Sequence, residues 1–317
     1  MKRYLIILAF LPLFGFGQIN NVGCKYNNTL GYSGSSIWVY NTLSVGKELI
    51  LKASSISEDS LTYNSSANLV TGFSGVNVDL DGSLDVVIGN SVRFGTPTSG
   101  TIYKVIDTVA TAANLVLDQT FTGSITDEFY WGGVNTWYDE SGNINNAIQT
   151  TAINQPKLLW INTDSARVDF DGVNDRLLMN DLITLDYNFC IYFKIKLKNI
   201  NKVQALLGYN SNTFKRYMFL VSNDLYFETN TNGDDYRTTG TYSNLTQFNS
   251  LLLNVSGNSV SFYYNNIKDS SVDNIIDTFS FDKIGSMFDV SFIDAYIQEI
   301  LIYNRTLTTS EINAISQ

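Results

Sequence analysis

The sequence predicts an all-β fold, an antiparallel sandwich of two sheets, on three observations. After Ala166, apolar residues recur at every second position in a series of short runs, the period of strands that bury one face. Gly, Asn, Asp and Ser separate these runs at spacings expected of a sandwich. The 317 residues hold three prolines and a single helical pattern, near the C-terminus. An apolar fraction of 44% with 13% aromatics supplies a substantial core.

Residues 1–17 begin Met1-Lys2-Arg3, continue through an apolar stretch from Tyr4 to Phe16, and reach small residues before Gln18. A basic start, a short apolar middle and a plausible cut site are the pattern of a secretory signal peptide, so the protein is expected to be secreted, periplasmic or at the cell surface. The stretch is too short for an ordinary spanning helix, and no other stretch is long and apolar enough, so no transmembrane segment is expected after its removal. Export would allow Cys24 and Cys190 to pair. A small buried thiol is the simpler reading of Cys190, which lies in the run Phe189–Phe193. Cys24 follows Asn20-Asn21-Val22-Gly23 rather than a greasy run, which argues against a lipid-modified cysteine.

Residues 18–79 are rich in Ser, Thr, Asn and Gly, with strands expected at Ser36–Tyr40 and Lys47–Leu51. Leu84–Phe94, Thr101–Ile106 and Asn114–Leu117 read as consecutive hairpins of a small β insert at residues 80–126. In residues 127–317 the pattern is clearest. A strand at Ala166–Phe170 leads into the turn Asp171-Gly172-Val173-Asn174-Asp175, where Asp and Gly suit positive φ or side-chain bonds to the backbone. From Phe189 to Leu197, Phe189, Ile191, Phe193, Ile195 and Leu197 alternate with Cys190, Tyr192, Lys194 and Lys196, so the first set must be buried. Ala205–Gly208, Tyr217–Val221, Leu225–Glu228, Ser250–Val255 and Ser259–Tyr264 continue the series, and Gly257-Asn258 marks a hairpin turn. Thr309 or Ser310 is expected to cap a short terminal helix through Ile315.

Thirty acidic against twenty basic residues give a net charge of −10. No basic stripe for phosphates is evident in the sequence, and nucleic acid is not an expected partner. The chain has no histidine. A Ser-His-Asp or Cys-His arrangement, a His-ligated zinc and a facial iron triad are therefore excluded. A glycosidase would need two carboxylates facing across a cleft, for which Glu140, Glu228, Asp234, Asp235 and Glu299 are available.

Trp137-Tyr138-Asp139-Glu140-Ser141-Gly142-Asn143-Ile144-Asn145-Asn146-Ala147 and the strand from Tyr296 to Arg305 together resemble the opening and closing signatures of the laminin-G-like, concanavalin A-like jelly-roll family. Tyr32–Val39 also resembles a strand of the α-L-arabinofuranosidase B catalytic domains in that family. The resemblance implies a jelly roll interrupted by the hairpins of residues 80–126. In the arabinofuranosidase branch a nucleophilic glutamate lies three residues after a glycine. Here Gly208-Tyr209-Asn210-Ser211 puts Ser211 at that position, with no adjoining cysteine pair, which counts against that activity. Glu140 stands where the family often has Gln, and Glu299 matches a structural position expected to pair with Arg305.

The fold hosts lectins, hydrolases, adhesion modules and structural pieces, so function has to come from the site. Asp139 and Asn143 could contact a sugar or hold their own loop by backbone bonds. Asp171, Asn174 and Asp175 are hard oxygen donors for the calcium that family members often carry, and the turn alone explains them equally well. Tyr209, Tyr236 and Tyr242, with Asn210, lie in polar, turn-rich surroundings suited to sugar stacking. Trp137 and Trp160 flank core strands and are expected to be buried. The leading expectation is a secreted, non-catalytic carbohydrate-binding or adhesion module that recognises a glycan or other extracellular polymer. The alternatives are a carboxylate-dependent glycoside hydrolase of the same fold and a structural surface component that binds protein partners.

Overall fold

The computed structural model describes residues 43, 45–82, 88–108, 113–162, 165–209, 217–221, 224–228, 235–237, 244–273 and 278–315. The expected signal peptide, Cys24 and the Ser36–Tyr40 strand lie outside them.

Strand β1 (Lys47–Lys52) belongs to the sandwich, but the chain leaves it at once to build a barrel. The barrel strands are β2 (Leu61–Ser74), β3 (Asn77–Leu80), β4 (Ser91–Phe94), β5 (Tyr103–Thr108), β6 (Asn114–Leu117) and β7 (Glu128–Val134). The first half of β2 pairs with β7 and its second half with β3, so the order β2-β3-β6-β5-β4-β7 closes on itself. Closure leaves no free edge to recruit another chain. Val70, Val78, Val92, Val105, Leu117 and Phe129 fill the ring, and Phe94, Tyr103 and Phe121 pack beside them. The ring spans Leu61–Val134, wider than the insert expected at residues 80–126. Three strands alone would leave two open edges, and β2, β3 and β7 supply the missing partners. Of the expected strand Leu84–Phe94, residues 84–87 lie outside the described ones, Gly89 adopts φ +101° and a strand runs from Ser91 to Phe94.

The sandwich strands are β8 (Thr136–Trp137), β9 (Ala147–Ile148), β10 (Lys157–Asn162), β11 (Ser165–Asp171), β12 (Leu177–Leu185), β13 (Asn188–Leu197), β14 (Gln204–Gly208), β15 (Tyr217–Val221), β16 (Asp224–Glu228), β17 (Asp235–Arg237), β18 (Asn249–Ser256), β19 (Ser259–Tyr264), β20 (Ile267–Asp273), β21 (Phe279–Ile284), β22 (Ser286–Met287), β23 (Ser291–Phe292) and β24 (Asp294–Tyr303). One sheet runs β10-β11-β24-β13-β18-β19-β20, with β1 against the second half of β24, and joins the barrel through β7. The facing sheet runs β17-β16-β15-β14-β21-β12-β9-β8. The β18–β19–β20 hairpins of the first sheet use the expected chemistry. Gly257 alone has positive φ in the Ser256–Ser259 turn, as a type II′ turn requires, and Asn265 and Asn266 both have positive φ in the turn from Tyr264 to Ile267, as type I′ requires.

The core lies between the sheets. Phe189, Ile191, Phe193, Ile195 and Leu197 are all buried there, as their alternation predicts. The Phe189 ring lies 6.0 Å from Phe227 and 6.1 Å from Phe279 across the sandwich. Each such side chain contributes about 1.5–3 kcal/mol on burial.

The other face of β13 divides. Cys190 and Tyr192 pack with Leu301, Leu307 and Ile312 near helix α1 (Thr309–Ile315), whereas Lys194 and Lys196 stay partly exposed. Burial pushes the Cys190 thiol well above its ordinary range. The cap of α1 is Thr308, one residue before the expected position. Its hydroxyl accepts the Glu311 N–H at 3.4 Å and the Glu311 carboxylate accepts the Thr308 N–H at 2.8 Å, a reciprocal capping box. Glu311 also binds Arg305 at 2.8 Å, while Glu299 approaches Lys52 at 3.8 Å. The expected Glu299–Arg305 pair is thus replaced because the buried Glu311 carboxylate claims the guanidinium.

Candidate functional site

The Trp137–Ala147 segment is a clasp on β1. Asp139 Oδ1 accepts the N–H groups of Ile50 (2.9 Å) and Ser141 (2.8 Å), and Oδ2 accepts the Ser141 hydroxyl (2.7 Å) and the Asn145 N–H (3.0 Å). Asn143 Nδ2 donates to the carbonyls of Lys47 and Glu48, and Asn145 Nδ2 to that of Glu48. Asp139 Oδ1 and the amide nitrogen of Asn143 therefore join the loop to a strand some ninety residues away, while Asp139 Oδ2 holds the loop's own shape.

The Asp171–Asp175 turn is similarly self-contained. Asp171 Oδ1 accepts the N–H groups of Val173, Asn174 and Asp175, and Asp175 Oδ2 accepts that of Asp171 at 2.9 Å. Asn174 Oδ1 is buried without a hydrogen bond. Asp175 is 5% exposed, and burial, reinforced by the Asp171 charge, raises its pKa to about 8. The hydrogen bonds occupy Asp171 Oδ1 and Asp175 Oδ2 within the turn itself. Among the described residues no group of three metal-ligating side chains occurs.

This acid imposes a pH dependence. Unfolded, Asp175 loses its proton near pH 4; folded, it keeps the proton to about pH 8. Over that window the native state binds more protons, so its contribution to stability is complete at the acid end and falls as pH rises. The urea midpoint is expected to be lower at about pH 8 than at about pH 5, with the difference reduced in Asp175→Asn. A difference unchanged by the substitution would contradict the assignment.

The expected sugar-stacking tyrosines do not form a described cluster. Tyr209 follows β14 and is half-buried, Tyr236 pairs with Phe227 by backbone in β17, and Asn210, Ser211 and Tyr242 lie outside the described residues. On the outer face of the second sheet, Tyr217 and Glu228 are cross-strand neighbours and both are buried. Burial, with Glu228 adding to it, pushes the Tyr217 phenol up. Next to them the β22–β23 hairpin places Phe288 edge-on to Tyr217 at 5.0 Å and Asp289 on the buried Lys283 at 2.8 Å, with Arg176 at 3.3 Å. Phe288 and Asp289 both adopt positive φ. For a phenylalanine this is a strained conformation, held by these contacts.

Besides an open depression of about 190 Å³ on the barrel at Phe94, Tyr103 and Phe121, two others among the described residues carry charged side chains. One lies on the outer face of the first sheet, a cleft of about 220 Å³ lined by Lys52, Ser54, Ser165, Lys194, Gln298 and Glu299. Burial raises the Glu299 pKa, opposed by Lys52 and Lys194 on either side.

The other, about 330 Å³, sits at the seam between barrel and sandwich. The barrel contributes Ile88, Gly89, Lys104 and Ile106, and β10 contributes Trp160, Ile161 and Asn162. The seam is closed by backbone: Trp160 N–H donates to Gly89 O at 2.9 Å, and Asn90 bridges to Leu159. A Cβ at Gly89 would lie 2.5 Å from the Trp160 carbonyl, so only glycine permits this approach. Three isoleucines are unusually open for their type, Ile88 at 50%, Ile106 at 52% and Ile161 at 50%, beside a half-buried indole with the Lys104 ammonium 4.5 Å from its centroid. Trp137 is fully buried as expected; Trp160 instead lines a cleft. Strand periodicity could not reveal this, because the exposure is created by a barrel arriving from elsewhere in the sequence.

Comparison with known proteins adds a family. Residues 170–313 match the model described as concanavalin A-like lectin/glucanases superfamily. The sandwich is consistent with that concanavalin A-like fold. No curated protein matches the sequence. Among solved structures, domain 4 of AbnA, a GH43 extracellular arabinanase from Geobacillus stearothermophilus determined with arabinotriose, aligns over 56% of this chain and 92% of its own with 17% identity and a TM-score of 0.46. The botulinum neurotoxin serotype D ligand-binding domain, determined with N-acetylneuraminic acid, aligns over 57% of this chain with 13% identity and a TM-score of 0.45. The binding domain of Paraclostridial Mosquitocidal Protein 1 aligns over 58% with 18% identity and a TM-score of 0.43. The aligned part spans about half the length of the two toxin domains, 47% and 50%.

Among the candidate acids, Glu140 lies near enough to Glu299 to help raise its pKa. Glu299 is the one carboxylate lining the outer-face cleft, Glu228 is buried at the far sheet, and Asp234 lies outside the described residues. The Asp235 side chain is likewise not described.

Proposed function

We propose that the protein is a secreted, non-catalytic glycan-binding module whose ligand seats in the seam cleft against Trp160. The single observation that supports this reading is the combination at that cleft: an accessible indole, open isoleucines, an ammonium and a neighbouring asparagine on a backbone-stapled wall. Sugars present apolar C–H faces to such rings while their hydroxyls take polar partners at the rim. The cleft has the volume of a small-ligand site, at the junction of two units, where such sites concentrate. A hydrolytic role would require a second carboxylate facing the first, and the seam cleft is lined by none.

Pull-down of the full chain across insoluble and immobilised plant, algal, host and bacterial polysaccharides tests the reading. At least one is expected to retain the wild type, with Trp160→Ala weakening retention at least about tenfold, or 1.4 kcal/mol, and Trp160→Phe less. Absence of binding to every polymer, or equal binding by Trp160→Ala, would overturn it.

A further inference from the structure

We infer that the outer face of the first sheet is a second binding surface, specific for acidic polysaccharide: a chain of uronate or sulfated sugars lying along β24 from Asp294 to Glu299. This inference rests on the glycan-binding reading above and adds a separate site to it. The motivating observation is a concentration of cations that runs against the net charge of −10. Three cations crowd one ring: Arg167 lies 4.1 Å, Lys198 5.2 Å and Lys196 5.9 Å from the centroid of Tyr296. Lys198 is balanced by Asp169 at 2.7 Å and Asp294 at 3.2 Å, and Lys202 approaches Asp294 at 3.7 Å. Arg167, Lys194 and Lys196 have no carboxylate within 4 Å among the described residues. Further along the same face, the outer-face cleft adds Lys52, paired with Glu299 at 3.8 Å, and Lys194, with the hydroxyls of Ser54 and Ser165 and the amide of Gln298.

The fold explains why these residues face outward together. Val168, Ile195 and Ile297 belong to the core, so their neighbours Arg167, Lys194, Lys196 and Tyr296 alternate to the opposite side. Helix α1 packs over the same sheet face at Cys190 and Tyr192 but leaves Lys194 and Lys196 accessible. Five residue steps of β24 extend about 16 Å, enough for a polymer segment rather than a single ion. Like charges held this close repel in the free protein, and a ligand carrying regularly spaced anions relieves that repulsion. Hydroxyl and amide donors in the cleft suit the remaining polar groups of a sugar. With three cations around the Tyr296 ring, charge pairing dominates this face.

The test is binding of the intact protein to polygalacturonate, to a sulfated galactan, to a panel of neutral polysaccharides and to duplex DNA, at about 20 mM and about 200 mM salt. The expected result is binding of an acidic polysaccharide that weakens at least about tenfold with added salt. Lys194→Ala/Lys196→Ala should weaken it by a similar factor without changing the circular dichroism or any neutral-glycan binding at Trp160. If neither acidic polysaccharide binds at low salt while a neutral one does, this inference fails and the Trp160 reading stands. If Trp160→Ala changes no glycan binding yet the lysine variant abolishes acidic binding, the seam reading fails and this surface stands. Tighter binding of DNA than of either polysaccharide, or acidic binding untouched by the lysine variant, overturns the inference.

Discussion

Asp139→Ala is expected to lower the stability of the protein by about 3 kcal/mol, the largest effect of any single polar substitution in the sandwich. The carboxylate accepts four hydrogen bonds, three of them from backbone N–H groups, and one of those belongs to Ile50 in β1. Hydrogen bonds to a charged acceptor contribute about 1.5–3 kcal/mol each in isolation, but their loss is partly offset where loop groups can turn to water. The Ile50 N–H has less freedom, because β1 is paired to β24 and cannot rotate without breaking that ladder. Asp139→Asn should recover little, since its amide nitrogen would point at a donor. Ser141→Ala removes one bond and should cost about 1 kcal/mol. Urea unfolding of the three variants measures this, and a loss below about 1 kcal/mol for Asp139→Ala would mean that the clasp does not hold β1.

Asp289→Ala is the second large effect, expected to be about 2 kcal/mol. Lys283 is 3% exposed and its ammonium pairs with Asp289 at 2.8 Å. Removing the partner strands a buried cation, which costs about 3–5 kcal/mol where the whole pair is buried. Asp289 is itself 44% exposed on its side chain, so water already shares this pair and the loss is smaller. The substitution also releases Arg176 and the strained turn at Phe288. Adding Lys283→Met to Asp289→Ala should restore most of the stability, because a thioether of similar length needs no counter-charge. A double variant no more stable than Asp289→Ala alone would show that the loss comes from the turn rather than the buried charge.

The sandwich was legible wherever burial was one-sided. At β13 the five alternating apolar residues announce the core face, and Gly257-Asn258 announces the next hairpin by the backbone geometry it needs. What was hidden depended on elements distant in sequence. Cys190 and Tyr192 share the solvent-facing parity of Lys194 and Lys196, yet they are buried because α1 returns over them. The full barrel was hidden in the polar middle of β2, from Asn64 to Asn68, whose outward positions carry no apolar signal. Trp160 looked like scaffold for the same reason, since the cleft beside it exists only once Gly89 has docked on its backbone. Asp139 and Asn143 hold their loop and also tie it to β1, a partner too distant in sequence to be read from the motif.

The central claim is that ligand enters the seam between barrel and sandwich. Amide hydrogen exchange on the intact protein, with and without a polysaccharide that it retains, tests this most directly. The predicted result is added protection at Ile88–Gly89, Lys104–Ile106 and Trp160–Asn162, the three segments that line the cleft. Unchanged exchange at those segments while the bound polysaccharide protects another part of the chain would contradict it.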